Sequence, residues 1–358
     1  MRIATLSNAA VVHTERWVRH FRARGHEVRL WSLEPGSADL EARPLPSAPL
    51  PGAFRYPLAA PALRRELAAF SPEIVDAHYV PNYGLLGALS GRRPLSVCAW
   101  GSDLLLSGKR GGLRRARTRF VLRRADLVLA DADNLAAAAR ELGAHAPRVH
   151  TIAWGVSAAR FHPRGTRVPG RLLSTRMHES VYDLPTIIEG LAPLFRRHPH
   201  LTLDVAGDGG LRGEMERLAA AKLPAGRYRF LGRLDPKALA TALAEAEFYL
   251  SASLSDSTSV SLLEAMASGA LPVVSDLAGN RDWVGEGEGA RLFSPGDRAG
   301  LATGVERALA APDWCELARR RNAAVIAERG DWDTQMAKIE ALFDGLVRAA
   351  SLRPVNSR

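Results

Sequence analysis

Apolar runs of strand length alternate with segments of helical spacing along this chain, and the alternation begins twice. Residues 1–7 form a short apolar run. Trp17, Val18 and Phe21 then recur at helical spacing within 13–24, Gly25 ends that segment, and 28–33 is apolar again. A β-α-β unit of this kind requires a parallel sheet covered by helices, because parallel neighbours need a long crossover. Further strands are predicted at 74–78, 95–100, 127–130 and 149–153, with helices at 83–90, 112–124 and 134–142. Seven prolines between Glu34 and Pro61 predict an irregular loop there, since proline lacks the N–H that helices and central strands use.

The stretch 154–170 is rich in Gly, Pro and Arg, and the alternation restarts after it. Strands are predicted at 171–175, 201–206, 228–231, 248–251 and 271–274, and helices at 184–197, 210–222, 236–246 and 258–268. Two helical stretches, 301–329 and 332–349, close the chain with no strand between them. The expected fold is therefore α/β: two doubly wound, Rossmann-like domains with a ligand cleft between them, facing the strand C-termini. The predicted domains are 1–160 and 161–330, with 331–358 packing back on the first.

The 358 residues exceed what one hydrophobic core usually serves, in keeping with two domains. Cys98 and Cys315 are too few for a disulfide framework and lack the C-x-x-C spacing of a structural zinc site. No signal peptide and no run of about eighteen apolar residues is evident, so a cytosolic location is expected, with room for a peripheral place at the membrane. Net charge is +10, and only Lys109, Lys222, Lys237 and Lys338 of the 48 basic residues are lysines. An acidic partner and a plain arginine bias of composition both account for that.

The densest chemical signal is SASLSDSTSVSLLEAMASGALPVVSDLAG, residues 251–279. A strand enters a Ser/Asp/Thr turn and then a helix, whose first N–H groups form an anion site. Asp256 and Glu264 are eight residues apart; were both on the helix, about 12 Å would separate them along its axis. That spacing brackets a long ligand, with a diphosphate at the helix start and hydroxyl-bearing sugars to either side.

This segment resembles the signature of the retaining glycosyltransferases of family four, which have the GT-B fold: E-x7-E followed by A-M-A-x-G-x-P-V. Glu264, Ala265, Met266, Ala267, Gly269, Pro272 and Val273 match, with one extra residue before the proline and Asp256 in place of the first glutamate. RARGHEV (22–28), DAHYVPNYGLLGAL (76–89), IAWGVSAARFHP (152–163), STR (174–176) and GDGG (207–210) follow in family order. The resemblance implies that Glu264 binds the ribose hydroxyls of a nucleotide sugar and Asp256 the donor sugar. It places the amides of Thr258, Ser259 and Val260 around the donor phosphates, counts Gly207 in the glycine turn as donor-binding, and makes Arg176 the diphosphate clamp. A guanidinium suits that task because its forked donors match phosphate oxygens. The family's lysine five residues on is here Val181, with Tyr182 beside it.

On the acceptor side the family's His-Gly-x-Asp is here Trp100-Gly101-Ser102-Asp103. Trp100 would stack on a sugar ring and Asp103 would orient the acceptor hydroxyl, or else Trp100 fills core and Asp103 caps a helix. His13 and Thr14, at the start of the first helix, are further candidates for phosphate or acceptor contact. The stretch 109–124, KRGGLRRARTRFVLRR, has eight cations and no acid. Leu113, Ala116, Phe120 and Val121 fall at helical spacing within it, as in a helix lying on anionic lipid. Nucleic acid is not expected as a partner, because no interleaved aromatics or known module accompany the charge.

The expected function is thus metal-independent transfer of a sugar, with retention, from a nucleotide-diphosphate sugar to a lipid-linked or glycan hydroxyl. The nucleotide sugar is a co-substrate, and no cofactor or metal is expected. Catalytic candidates are Asp103, Arg176 and Asp256. A nucleotide-sugar epimerase of the same architecture and a degenerate sugar-nucleotide-binding protein remain alternatives.

Overall fold

A computed structural model describes residues 1–46, 52–106, 111–285 and 287–352. The chain divides into two compact units, Met1–Ile152 with Ala337–Arg358, and Ala153–Met336. The division thus falls at 152/153 and 336/337, where the sequence pointed to 160 and 330. The reason is a bridge: Val156 N–H donates to Gly330 O at 2.7 Å and Trp332 N–H donates to Val156 O at 3.1 Å. Gly155, at φ +72, permits this, since a Cβ there would lie 2.7 Å from Gly330 O.

In the first unit the strands are β1 (Arg2–Leu6), β2 (Glu27–Ser32), β3 (Arg43–Pro44), β4 (Ile74–His78), β5 (Leu95–Cys98), β6 (Leu127–Ala130) and β7 (Val149–Thr151). They form one parallel sheet in the order β3-β2-β1-β4-β5-β6-β7. The order reverses at β1/β4. The side chains of β4, β5 and β6 are buried throughout. From Ala337 the helix Trp332–Ser351 belongs to this unit: Phe343 stacks on Phe21 at 5.6 Å, and Glu340 accepts from Arg24 at 3.1 Å.

The loop expected over 34–61 is only partly a loop. Helix Gly52–Phe70 runs through Pro57 and Pro61. Tyr56, Leu63, Leu67 and Phe70 are buried on one face of it, contributing roughly 1.5–3 kcal/mol each, and this offsets two interior prolines at about 3 kcal/mol apiece. Tertiary burial here overrides local propensity.

The second unit holds β8 (Arg171–Ser174), β9 (Thr202–Ala206), β10 (Tyr228–Gly232), β11 (Phe248–Ser251), β12 (Leu271–Ser275) and β13 (Arg291–Phe293). All are parallel, in the order β10-β9-β8-β11-β12-β13, with the reversal at β8/β11. β13 and the helix Ala278–Val284 were not foreseen; at three and seven residues they are too short to show a period. The long helix expected over 301–329 is two, Arg298–Leu309 and Pro312–Val325. Asp297 caps the first of these through Gly300 N–H, and Pro312 sits in the first turn of the second, where its missing N–H costs nothing.

Candidate functional site

Ligands of doubly wound sheets lie outside the strand C-termini where the order reverses. In the second unit that point is β8/β11. Arg176 follows β8, and the turn carrying Asp256 follows β11. The helix after that turn starts at Val260, so Asp256 precedes it by four residues and does not share its axis with Glu264. The 12 Å axial spacing is corrected accordingly.

Arg176 gathers this turn around itself. Its guanidinium donates to Asp256 Oδ2 at 2.7 Å, Ser259 Oγ at 2.7 Å and Ser261 Oγ at 2.8 Å, and its Cζ lies 4.2 Å from the centre of the Tyr182 ring. Tyr249 OH donates to Ser261 Oγ at 2.8 Å. Burial works against the guanidinium charge, but Asp256 beside it, with Tyr249 and Tyr182, more than offsets that, and its pKa is raised. Asp256 thus meets the arginine as a counterion. Its other oxygen accepts from Ser257 N–H at 3.1 Å.

Ser259 is the N-cap of helix Val260–Ser268, yet its hydroxyl serves Arg176 and makes no cap hydrogen bond. Thr258 is buried and accepts from Trp283 Nε1 at 3.3 Å. Val260 and Glu264 are half-buried on the same helix. Gly207, at φ +123, supports the arginine loop: a Cβ there would stand 2.5 Å from Arg176 O. Of the second-unit candidates, Asp256 and Ser259 thus meet the guanidinium, Gly207 lies against the Arg176 backbone, and Thr258, Val260 and Glu264 lie at or on the helix that follows. Tyr182, Tyr249 and Ser261 were not singled out for this site. Only Tyr182 carried a signal, lying beside the position of the missing lysine.

The reversal in the first unit, at β1/β4, also collects candidates. His13 lies in the first turn of helix Val12–Ala23, and its ring centre is 5.9 Å from that of Trp100, which follows β5. The Tyr79 ring centre lies 6.4 Å from that of Trp100. Two expectations fail here. Thr14 is buried and its hydroxyl is paired with Ser7 Oγ at 2.7 Å, so it faces no ligand. Asp103 is completely buried, and its two oxygens accept from Val80 N–H at 2.9 Å and Trp100 N–H at 3.0 Å. It cannot reach an acceptor hydroxyl, and it fixes the Trp100 backbone instead.

Burial pushes the Asp103 carboxyl up to about 6 from 3.8, against the pull of its backbone hydrogen bonds. The folded state therefore holds a proton that the unfolded chain releases between these values, and stability falls as pH rises from about 4, levelling above about 6. For Asp103→Asn we expect that fall to vanish. Denaturant unfolding at pH 4, 5, 6 and 7 should show wild-type stability dropping relative to the variant by on the order of 3 kcal/mol across the window. A constant difference between the two proteins would contradict the assignment.

Two doubly wound units with converging basic and hydroxyl groups at one reversal point define a GT-B architecture. Residues 8–155 match the glycosyl transferase 4-like domain and residues 171–311 match glycosyl transferases group 1. The chain belongs to the group 1 glycosyltransferase family. The phosphatidyl-myo-inositol mannosyltransferase of Mycobacterium tuberculosis is 31% identical over 203 residues, 52% of this chain and 50% of that protein. Sulfoquinovosyl transferase SQD2 of Arabidopsis thaliana is 26% identical over 355 residues, covering 91% of this chain and 68% of its own length. The chain thus spans about half the length of the mannosyltransferases it matches. Among solved structures, a sucrose-phosphate synthase from Thermosynechococcus elongatus superposes with a TM-score of 0.85 at 17% identity, over 98% of this chain and 100% of that one. Anabaena HepE, solved with UDP-glucose, superposes at 0.83 and 17% identity, over 97% and 100%.

Proposed function

We propose that this chain transfers a sugar from a nucleotide-diphosphate donor to a hydroxyl of a glycan or glycolipid acceptor, with retention at the anomeric carbon. The observation that carries the reading is the Arg176 cluster at the β8/β11 reversal. A guanidinium and a helix start whose N-cap side chain makes no cap hydrogen bond meet there, the combination that stabilises a departing diphosphate. Anabaena HepE, of the same fold, was solved with UDP-glucose, and the mannosyltransferases are relatives by sequence.

In this mechanism the diphosphate takes the place of the Asp256 carboxylate on Arg176, and the released carboxylate turns to the donor sugar's hydroxyls. Glu264, on the helix that Val260 begins, takes the ribose hydroxyls. The acceptor attacks the anomeric carbon on the face the nucleotide leaves: the new C–O bond forms as the old one breaks, and the acceptor's proton departs with the diphosphate. Charge on the leaving group is met by Arg176 and backbone amides, so the chemistry calls for no metal. Incubation with UDP-, GDP- and ADP-sugars and membrane lipid extracts tests this. Transfer with retained configuration, undiminished by EDTA, is expected; a panel in which no donor binds or is consumed sinks the reading.

Helix Leu113–Arg124 supports an anionic membrane surface as a partner. Thr118, Val121 and Leu122 face inward, while Leu113 and Phe120 stay exposed, so the apolar residues divide between two faces where the sequence predicted one. Arg115, Arg119, Phe120, Arg123 and Arg124 line one shallow pocket on the outer side. Lys109 and Arg110 lie outside the described residues. Each arginine near an anionic surface is worth roughly 1 kcal/mol, so alanine at 115, 119 and 123 should weaken sedimentation with phosphatidylglycerol vesicles by about 100-fold. Equal binding by wild type and variant, or none by wild type, would exclude this surface. No helix among the described residues is long and apolar enough to cross a membrane.

A further inference from the structure

Beneath Trp100 lies a buried polar pair that the donor chemistry does not use. Asp76 and His78 stand two residues apart on β4 and so project on one face of the sheet. Both are almost completely buried, and His78 Nε2 is 2.9 Å from Asp76 Oδ2. On its other side, His78 Nδ1 lies 3.2 Å from Trp100 Nε1. An indole nitrogen only donates, so Nδ1 must accept; the imidazole is then neutral, carries its proton on Nε2, and donates it to Asp76. Trp17 also packs against His78, with ring centres 4.7 Å apart and the ring planes nearly perpendicular.

We infer that Asp76 and His78 are positioning residues that hold the Trp100 indole by its N–H, so that the ring offers a ligand its apolar surface and no hydrogen bond. Asp103 fixes the same residue's backbone. Gly101, at φ +103, makes the turn that brings the Asp103 carboxylate back to it. With ring and backbone both held, and His13 and Tyr79 edge-on around it, half-buried Trp100 is a rigid platform. Its ligand class is the C–H face of a pyranose, which stacks on an aromatic ring without needing a donor. At this position the family's histidine would offer a ring nitrogen instead. The inference rests on the reading of this chain as a sugar transferase, and it adds which chemical face of the sugar the first unit takes.

The test uses the full chain and does not require turnover. The Trp100 indole N–H resonance is assigned by its loss in Trp100→Phe and followed in His78→Leu and His78→Gln. The Leu variant should shift it strongly. The Gln variant, whose amide oxygen accepts the same hydrogen bond, should return it toward the wild-type position. Methyl α-glucoside and methyl α-mannoside are then titrated. Glycoside affinity, read by calorimetry, should weaken about 10-fold in His78→Leu and in Trp100→Phe and recover in His78→Gln, while in the wild type the bound glycoside shifts the Trp100 signal. Trp100→Phe leaves the buried Asp76 and His78 in place, so it reads the contact even if His78→Leu fails to fold. An indole signal unmoved in a folded His78→Leu overturns the relay. Glycosides that leave the wild-type Trp100 signal unchanged, or bind both variants at wild-type strength, overturn the platform. Calorimetry with UDP, GDP and ADP runs in parallel: absence of any nucleotide binding counts against the transferase reading alone.

Discussion

Arg176→Ala is expected to lower kcat by about 10²- to 10³-fold, the scale seen when one preorganised donor to a developing negative charge is removed. Everything it touches suits the arginine to that proposed role. Three hydrogen bonds, to Asp256, Ser259 and Ser261, and a stacked Tyr182 fix both its fork and its plane. Once a bound diphosphate has replaced the one carboxylate, nothing about it has to reorganise at the moment of reaction. Lysine should rescue little, because a single ammonium cannot satisfy two hydroxyls and a carboxylate while stacking on a ring. The variant should also lose thermal stability, since the Asp256 side chain, only 19% exposed, is left without its counterion. Steady-state kinetics, with nucleoside-diphosphate calorimetry as a check on binding, decides the matter. Turnover within a few-fold of wild type would remove Arg176 from the chemistry.

Gly279→Ala should be nearly as damaging from a position that touches no ligand. A Cβ at Gly279 would stand 2.0 Å from Ser257 O and 2.6 Å from its carbonyl carbon. No rotamer relieves a clash between Cβ and backbone, so either the turn carrying Asp256 or the helix Ala278–Val284 must shift. Overpacking of this kind typically costs about 1–3 kcal/mol. Because Asp256 and Ser259 ride on the displaced turn, their registration with Arg176 is lost as well. We expect at least a 10-fold loss of nucleoside-diphosphate affinity together with a lowered thermal midpoint. Gly213→Ala is the control: in helix Arg212–Lys222 its Cβ would meet only the mobile end of Arg217, 3.7 Å away. That variant should bind nucleotide like wild type. Wild-type affinity in Gly279→Ala would show that the turn tolerates movement.

The strands were legible because a parallel sheet buried on both faces is written as apolar runs, and such runs do not depend on distant sequence. β13 was missed for want of length, and the helix Gly52–Phe70 because its prolines argue locally against what its buried face achieves globally. The site was legible in a different way. Arg176, Asp256 and Glu264 stood out through spacing and family order, but no spacing showed that Asp256 would turn to the arginine. Thr14 and Asp103 show the limit most plainly: a hydroxyl or carboxylate reads the same in sequence whether it faces solvent or a backbone amide. The Asp76–His78 pair did carry a local signal, since two polar residues two apart inside an apolar strand must share a face. What that signal lacked was the partner, Trp100, contributed by the neighbouring strand's end.

The ion pair between Arg176 and Asp256 has a consequence for selectivity wherever small anions abound. A cation left open at a helix start is a general trap for inorganic phosphate or sulfate. Here any such anion must compete with a carboxylate tethered to the same fold, whose effective concentration far exceeds that of a solute. Free phosphate brings nothing further to the contest. A nucleotide sugar brings a base, a ribose and a hexose along with its diphosphate, and their contacts can cover what the displaced carboxylate gives up. Under the proposed function, the arginine is thereby kept folded and charged, yet reserved for a ligand that arrives whole.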